Sequence, residues 1–118
     1  MRFDVITLFP EFLRSVAGLG VIGRALADGQ VEMRAWNPRD FAQDRHRSVD
    51  DRPYGGGPGM VMTVEPTRSA IRAARAADER PVRTSLMSPQ GSLLDQRALC
   101  ELARRERLLL VCGRYEGI

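Results

Sequence analysis

The alternation of apolar and polar positions divides the chain into strands and helices in turn. Phe3-Asp4-Val5-Ile6-Thr7-Leu8-Phe9 reads as an apolar strand, closed by Pro10 in the first turn of a helix, where a missing N–H costs nothing. Glu11 to Val16 forms that short helix, ending near Gly18, and Val21 to Ala27 forms a second, stopped by Gly29. Val31 to Trp36 alternates with period two and is a strand ended by Asn37-Pro38. Met60 to Met62 predicts a short strand. Pro66 opens a helix through Ala77 whose Arg68, Arg72 and Arg75 share one solvated face. Val82 to Met87 is a strand broken by Ser88-Pro89-Gln90-Gly91, and Asp95 caps a helix that runs to about Arg105. Leu108 to Cys112 is a fully apolar strand, and Gly113 ends it.

Strands alternating with helices, the last strand apolar on both faces, predict an α/β domain with a largely parallel sheet flanked by helices. In such sheets ligands bind beyond the carboxyl ends of the strands. Two strand ends are therefore singled out: Leu86 to Gly91, and Gly113-Arg114-Tyr115-Glu116-Gly117. In the second, two glycines bracket Arg, Tyr and Glu, so a ligand can approach the backbone while three functional side chains project outward. Arg can meet an anion, Tyr can stack on a base, and Glu can orient an amine or a metal; a plain strand-end turn is the alternative.

Between the second and third predicted strands the pattern fails. Asp44 to Met60 holds the only His of the chain, three Arg against three Asp, and four Gly interleaved with two Pro. Gly spends backbone entropy and Pro removes donors, so the segment predicts neither a helix nor a central strand. Loops this long are usually functional or disordered, and the mixed charge with backbone-exposing glycines favours function.

Composition narrows the classes. At 118 residues and 43% hydrophobic the chain is ordinary globular material for one small domain. No apolar run approaches the roughly 18 residues of a membrane-spanning helix. Asp4 interrupts what would be a secretion signal's apolar region, so the expected location is the cytoplasm and no membrane partner is expected. The net charge of +3 is compatible with nucleic acid. All 18 basic side chains are Arg, whose planar fork suits phosphates and guanine edges, although a GC-rich genome also explains the usage. The lack of Lys excludes a Walker A phosphate loop. Cys100 and Cys112 fit no zinc spacing and read as buried free thiols.

Two apparent motifs dissolve on inspection. Gly18-Leu19-Gly20-Val21-Ile22-Gly23 matches the dinucleotide fingerprint by letter, but a helix separates it from the first strand, so it reads as an interhelical turn. His46 with Asp44, Asp50 and Asp51 lacks paired-ligand spacing, so a hydrogen-bonding or RNA-contacting role is preferred to a metal site. No Ser or Cys sits in a nucleophile elbow with a partner His.

Taken in order, several segments resemble one family across the whole chain. They are Leu8-Phe9-Pro10-Glu11, Gly20 to Ala25, Asn37-Pro38-Arg39-Asp40-Phe41, Asp44 through Met60, Ser88-Pro89-Gln90-Gly91, and Leu110 to Ile118. The chain resembles the bacterial tRNA (guanine-N1)-methyltransferases of the SPOUT superfamily. The resemblance implies methyl transfer from S-adenosylmethionine to N1 of the guanosine just 3′ of the anticodon, in a cytoplasmic homodimer with shared active sites. It implies a trefoil knot holding the cofactor, an exception to unknotted folds. Leu86, Met87, Ser88, Pro89, Gly113, Tyr115, Glu116 and Gly117 then line one side of the cofactor pocket. Glu116 and Tyr115 face the reacting centre, with Glu116 assisting catalysis and a candidate ligand for magnesium. His46, Arg47, Asp50, Pro58 and Gly59 fall near the target guanosine and the anticodon loop.

The family's chains are roughly twice as long. Residues 1–118 therefore correspond to the N-terminal part of the SPOUT domain, with the knot's threading segment, the aspartate base and a C-terminal RNA-binding domain lying outside them. The expectation for the 118 residues alone is an incomplete pocket, with feeble cofactor binding and no methylation. A non-enzymatic RNA-binding or dimerisation module is the competing reading.

Overall fold

The computed structural model describes all residues, Met1 to Ile118. Its elements are β1 (Arg2–Ile6), α1 (Pro10–Ala17), α2 (Gly20–Ala27), β2 (Glu32–Trp36), a 3-10 turn (Pro38–Phe41), β3 (Asp50–Asp51), β4 (Val61–Met62), α3 (Val64–Ala76), β5 (Arg83–Met87), α4 (Gln96–Ala103) and β6 (Arg107–Cys112). The main sheet has four strands in the order β2-β1-β6-β5, all parallel, and β3 pairs antiparallel with β4. The α/β expectation holds. The strand β6, apolar from Leu108 to Cys112, lies inside the sheet, paired on both edges with β1 and β5.

One face of the sheet packs on α3. Ala70 and Ala74, four residues apart and therefore on one stripe of the helix, are fully buried against Ile6, Leu109 and Val111. Their small side chains let the helix lie close to the strands. The helix begins at Val64, two residues before Pro66, because a proline within the first turn removes only an N–H that has no intrahelical partner. Asp95 caps α4 as expected, accepting from the Ala98 N–H at 2.8 Å. Gly18 to Gly20 is the turn between α1 and α2.

The first strand is shorter than its apolar run. Ile6 pairs with Trp36 on one side and Val111 on the other, and beyond that level the chain leaves the sheet. Leu8 turns instead to a separate small cluster with Val49 and Met62. That cluster roots the glycine-and-charge segment, which is therefore less bare than its composition suggests: Val49 is fully buried, and the Asp50–Asp51 ladder ties the segment to β4.

At the opposite edge of the sheet a polar group occupies the core. Asp4 is fully buried and accepts from Arg107 Nε (2.8 Å), Arg2 Nε (3.1 Å) and Nη2 (3.0 Å), and Trp36 Nε1 (2.9 Å). Arg107, equally buried, also donates to the carbonyls of Arg75 (3.3 Å), Asp78 (2.6 Å) and Ala74, so it caps the carboxyl end of α3. Burial pushes the Asp4 carboxyl upward, but the hydrogen bonds from Arg2, Trp36 and Arg107 outweigh it and hold the group below the usual carboxylate range. A carboxyl whose folded pKa is depressed stabilises fully above its unfolded value of about 4, and this stabilisation is lost as pH falls through the folded value. The urea midpoint is therefore expected to hold from pH 7 to about 5 and to fall below about 4. A midpoint unchanged down to pH 3 would contradict this.

The second face of the sheet is open. Phe3, Leu108 and Leu110 form the floor, and Ala98, Leu99 and Leu102 of α4 one wall, of a groove of about 910 Å³. Leu86 and Met87, at the edge of this groove, are 53% and 49% exposed.

Candidate functional site

All four strands of the main sheet point the same way, so their carboxyl ends share one edge, and the loops gather there. Met87 pairs in register with Cys112, so Ser88-Pro89 and Gly113-Arg114 leave neighbouring strands side by side. Ser88 shapes its own turn by accepting from the N–H groups of Gln90 (3.2 Å, through Oγ) and Gly91 (3.1 Å, through its carbonyl). Leu86, Met87, Ser88 and Pro89 line the open groove, whereas Gly113 to Gly117 lie outside its walls.

The Gly113–Gly117 turn is anchored to the glycine loop instead. The Glu116 N–H donates to the Met60 carbonyl at 2.9 Å, and the Met62 N–H to the Gly117 carbonyl at 2.8 Å. The Arg114 N–H donates to Met62 Sδ at 3.3 Å, and its guanidinium stands 5.7 Å from the Phe9 ring centroid. Tyr115 takes φ +65, a left-handed conformation that costs a non-glycine residue of order 1 kcal/mol or more and is concentrated at functional sites. Gly59, at φ +81, lies directly against Glu116: a Cβ there would stand 2.5 Å from Glu116 Cγ. The two segments that the sequence separates into an RNA side and a cofactor side are thus one continuous structure.

The far end of the loop is built differently. Asp44 closes a turn by accepting from the Ser48 N–H (2.9 Å) and Oγ–H (2.7 Å), and the Ser48 hydroxyl is the main cause of its lowered carboxyl pKa. Arg47, at φ +53, donates through Nε to the Arg39 carbonyl (3.1 Å) and pairs with Asp40. His46 and Pro58 are exposed, and Asp50 is held in the β3–β4 ladder opposite Met62. His46 does not join a ligand cluster: no three His, Cys, Asp or Glu side chains converge anywhere in the chain. The sequence reading of two buried thiols is corrected in part. Cys112 is half-buried, and burial pushes its pKa up, but Cys100 is exposed because it lies on the face of α4 turned away from the sheet.

Residues that the sequence reading passed over also shape the site. Val49 and Met62 anchor both ends of the loop, and Asn37 fixes the 3-10 turn beneath it by accepting from the Arg39 N–H at 3.0 Å. Val49 was detectable as the lone apolar side chain in a polar run.

A parallel α/β sheet with a glycine-rich loop and a strained strand-end turn joined at its carboxyl edge places the molecule among α/β domains that bind ligands at that edge, and similarity to known proteins narrows the class. The crystal structure of tRNA (m1G37) methyltransferase from Aquifex aeolicus superimposes with a TM-score of 0.84 at 36% identity, covering 99% of this chain and 52% of that one. The family model described as tRNA (Guanine-1)-methyltransferase TrmD matches residues 1–118. The tRNA (guanine-N(1)-)-methyltransferase of Halorhodospira halophila is 62% identical over 117 residues, and that of Methylococcus capsulatus is 62% identical over 118. The chain belongs to the tRNA (guanine-1)-methyltransferase family. It spans a little under half the length of these curated relatives, 44% and 47% respectively.

Proposed function

We propose that this chain forms one part of an enzyme that transfers a methyl group from S-adenosylmethionine to N1 of the guanosine 3′ of the anticodon in tRNA, working as a cytoplasmic homodimer. The observation that carries the reading is the union of the glycine loop with the Gly113–Gly117 turn, in a chain matched along its whole length by this family. An isolated RNA-binding module has no need of a strained acidic turn locked to its loop.

The chemistry asks for these parts. The sulfonium supplies an electrophilic methyl, so the protein has only to align two substrates, exclude water and handle the guanine N1 proton. In this reading Leu86 to Pro89 and Gly113 to Gly117 hold the cofactor, and the turn's backbone at Gly113 and Gly117 admits it closely. The Glu116 carboxylate faces the guanine edge and orients it, while the main base lies outside these residues. His46, Arg47, Asp50, Pro58 and Gly59 meet the RNA, with Arg47 suited to a phosphate. Glu116 is a single carboxylate with no cluster of further His, Cys, Asp or Glu ligands, so it would hold magnesium only together with waters and substrate oxygens, and no step is routed through the ion.

The test is Glu116→Ala in the full-length gene product. Single-turnover methyl transfer to a tRNA transcript is expected to fall roughly 10- to 100-fold, the scale of losing one preorganised electrostatic contact. The Kd for tRNA should stay within about twofold, since the contact acts in the transition state rather than in binding. An equal loss of tRNA affinity would mark Glu116 as structural.

A further inference from the structure

We infer that Gly59 is a positioning residue for Glu116: its bare Cα is the seat on which the Glu116 side chain rests, and it sets where that carboxylate points. The inference rests on the reading of Glu116 above. It gives Gly59 a task within the protein beside its place near the RNA.

Three observations combine. The Glu116 backbone is pinned by its N–H bond to the Met60 carbonyl, one residue from Gly59. A Cβ built on Gly59 would stand 2.5 Å from Glu116 Cγ and 3.1 Å from both Cδ and Oε1, so the whole carboxylate arm lies in the space that any other residue would fill. The neighbouring glycines differ: a Cβ on Gly55, Gly56 or Gly57 would meet nothing within 4 Å. Gly59 alone in this loop is required for what lies above it as well as for its positive φ.

The atom displaced by a side chain at residue 59 belongs to a flexible, exposed arm. The arm swings aside, while the backbone bonds at Met60 and Met62 keep the turn in place. The consequence falls on the direction of the carboxylate, and therefore on turnover more than on either substrate's affinity. It also makes the loop and the acid one mechanical unit: any movement of the Gly59 end of the loop carries Glu116 with it.

The experiment is a double-mutant cycle in the full-length gene product, using wild type, Gly59→Ala, Glu116→Ala and the double variant. Gly59→Ala is expected to lower the single-turnover rate at least 10-fold, with tRNA and S-adenosylmethionine Kd values within threefold. Adding it to Glu116→Ala should cost less than a further twofold, because the group it misplaces is already gone. A double variant that loses the product of both factors, or a Gly59→Ala enzyme of normal rate beside an impaired Glu116→Ala enzyme, overturns the inference. A Glu116→Ala enzyme of normal rate sinks the catalytic reading instead, and the contact is then judged by the thermal midpoint. The strain of positive φ is common to both backgrounds, so Gly59→Ala should lower Tm less where Glu116 Cγ has been removed. Equal losses overturn the seat. If Gly59→Ala alone does not fold, the double variant should; failure of both counts against it.

Discussion

Arg107→Met is expected to destabilise the domain by about 3–5 kcal/mol, the usual result of removing one member of a buried ion pair. Two losses combine. Asp4 stays fully buried with its shortest charged partner gone, and the carbonyls of Ala74, Arg75 and Asp78 lose the donor that caps α3. Arg2 and Trp36 still reach Asp4, so its charge is not abandoned, which keeps the estimate within that range. Small domains have only about 5–15 kcal/mol in total, so the variant should unfold at much lower urea, or fail to fold at 37 °C. Much of the damage comes from a buried carboxylate left with too little compensation, so Asp4→Leu combined with Arg107→Met should be more stable than Arg107→Met alone. Urea midpoints of the three proteins decide this. A loss below 1 kcal/mol for Arg107→Met would show that the pair is not the keystone of the sheet's amino-terminal edge.

Replacing Gly55, Gly56 and Gly57 together by Ala is expected to weaken tRNA binding by up to about 100-fold and to leave S-adenosylmethionine affinity within about twofold. All three glycines have positive φ, at +82, +86 and +118, and each has open space around it. The substitutions therefore cause no clash. Each L-residue held left-handed costs roughly 1 kcal/mol, so three disfavour the loop's conformation by about 3 kcal/mol, close to 100-fold in population. Only a ligand that needs that conformation feels the change. The loop's anchored end, from Gly59 to Met62, is untouched and keeps the Gly113–Gly117 turn in place. Filter binding for tRNA and calorimetry for the cofactor separate the effects. A parallel collapse of cofactor affinity would show that the loop tip, and not only its Gly59 end, supports the turn.

These two cases mark where a single sequence stops being legible. Asp4 reads along the chain as an acid that interrupts an apolar run. Its partner Arg107 lies 103 residues away, and nothing local distinguishes it from the other arginines. Gly55, Gly56, Gly57 and Gly59 likewise look alike as glycines in one loop, and Gly59 alone is matched to a contact by the arrival of Glu116. The strand end at Gly113 was visible because an apolar run stopping at glycine is a local signal. That it would be locked to Met60 and Met62, leaving the open groove to Leu86 to Pro89, was not.

What the sequence determined by itself was the succession of elements, the parallel α/β class, the carboxyl-edge location of the loops and the family. Periodicity, caps and turn residues act within a few positions of one another, so the elements, the class and the loops' edge are written locally, while the family rests on the resemblance of segments spread along the whole chain. What only the tertiary structure decided was which charge is buried, which face of the sheet stays open, and which glycine of the loop carries an acid on its back. Those depend on side chains brought together from distant segments, where burial and excluded volume, not pattern, select the partner.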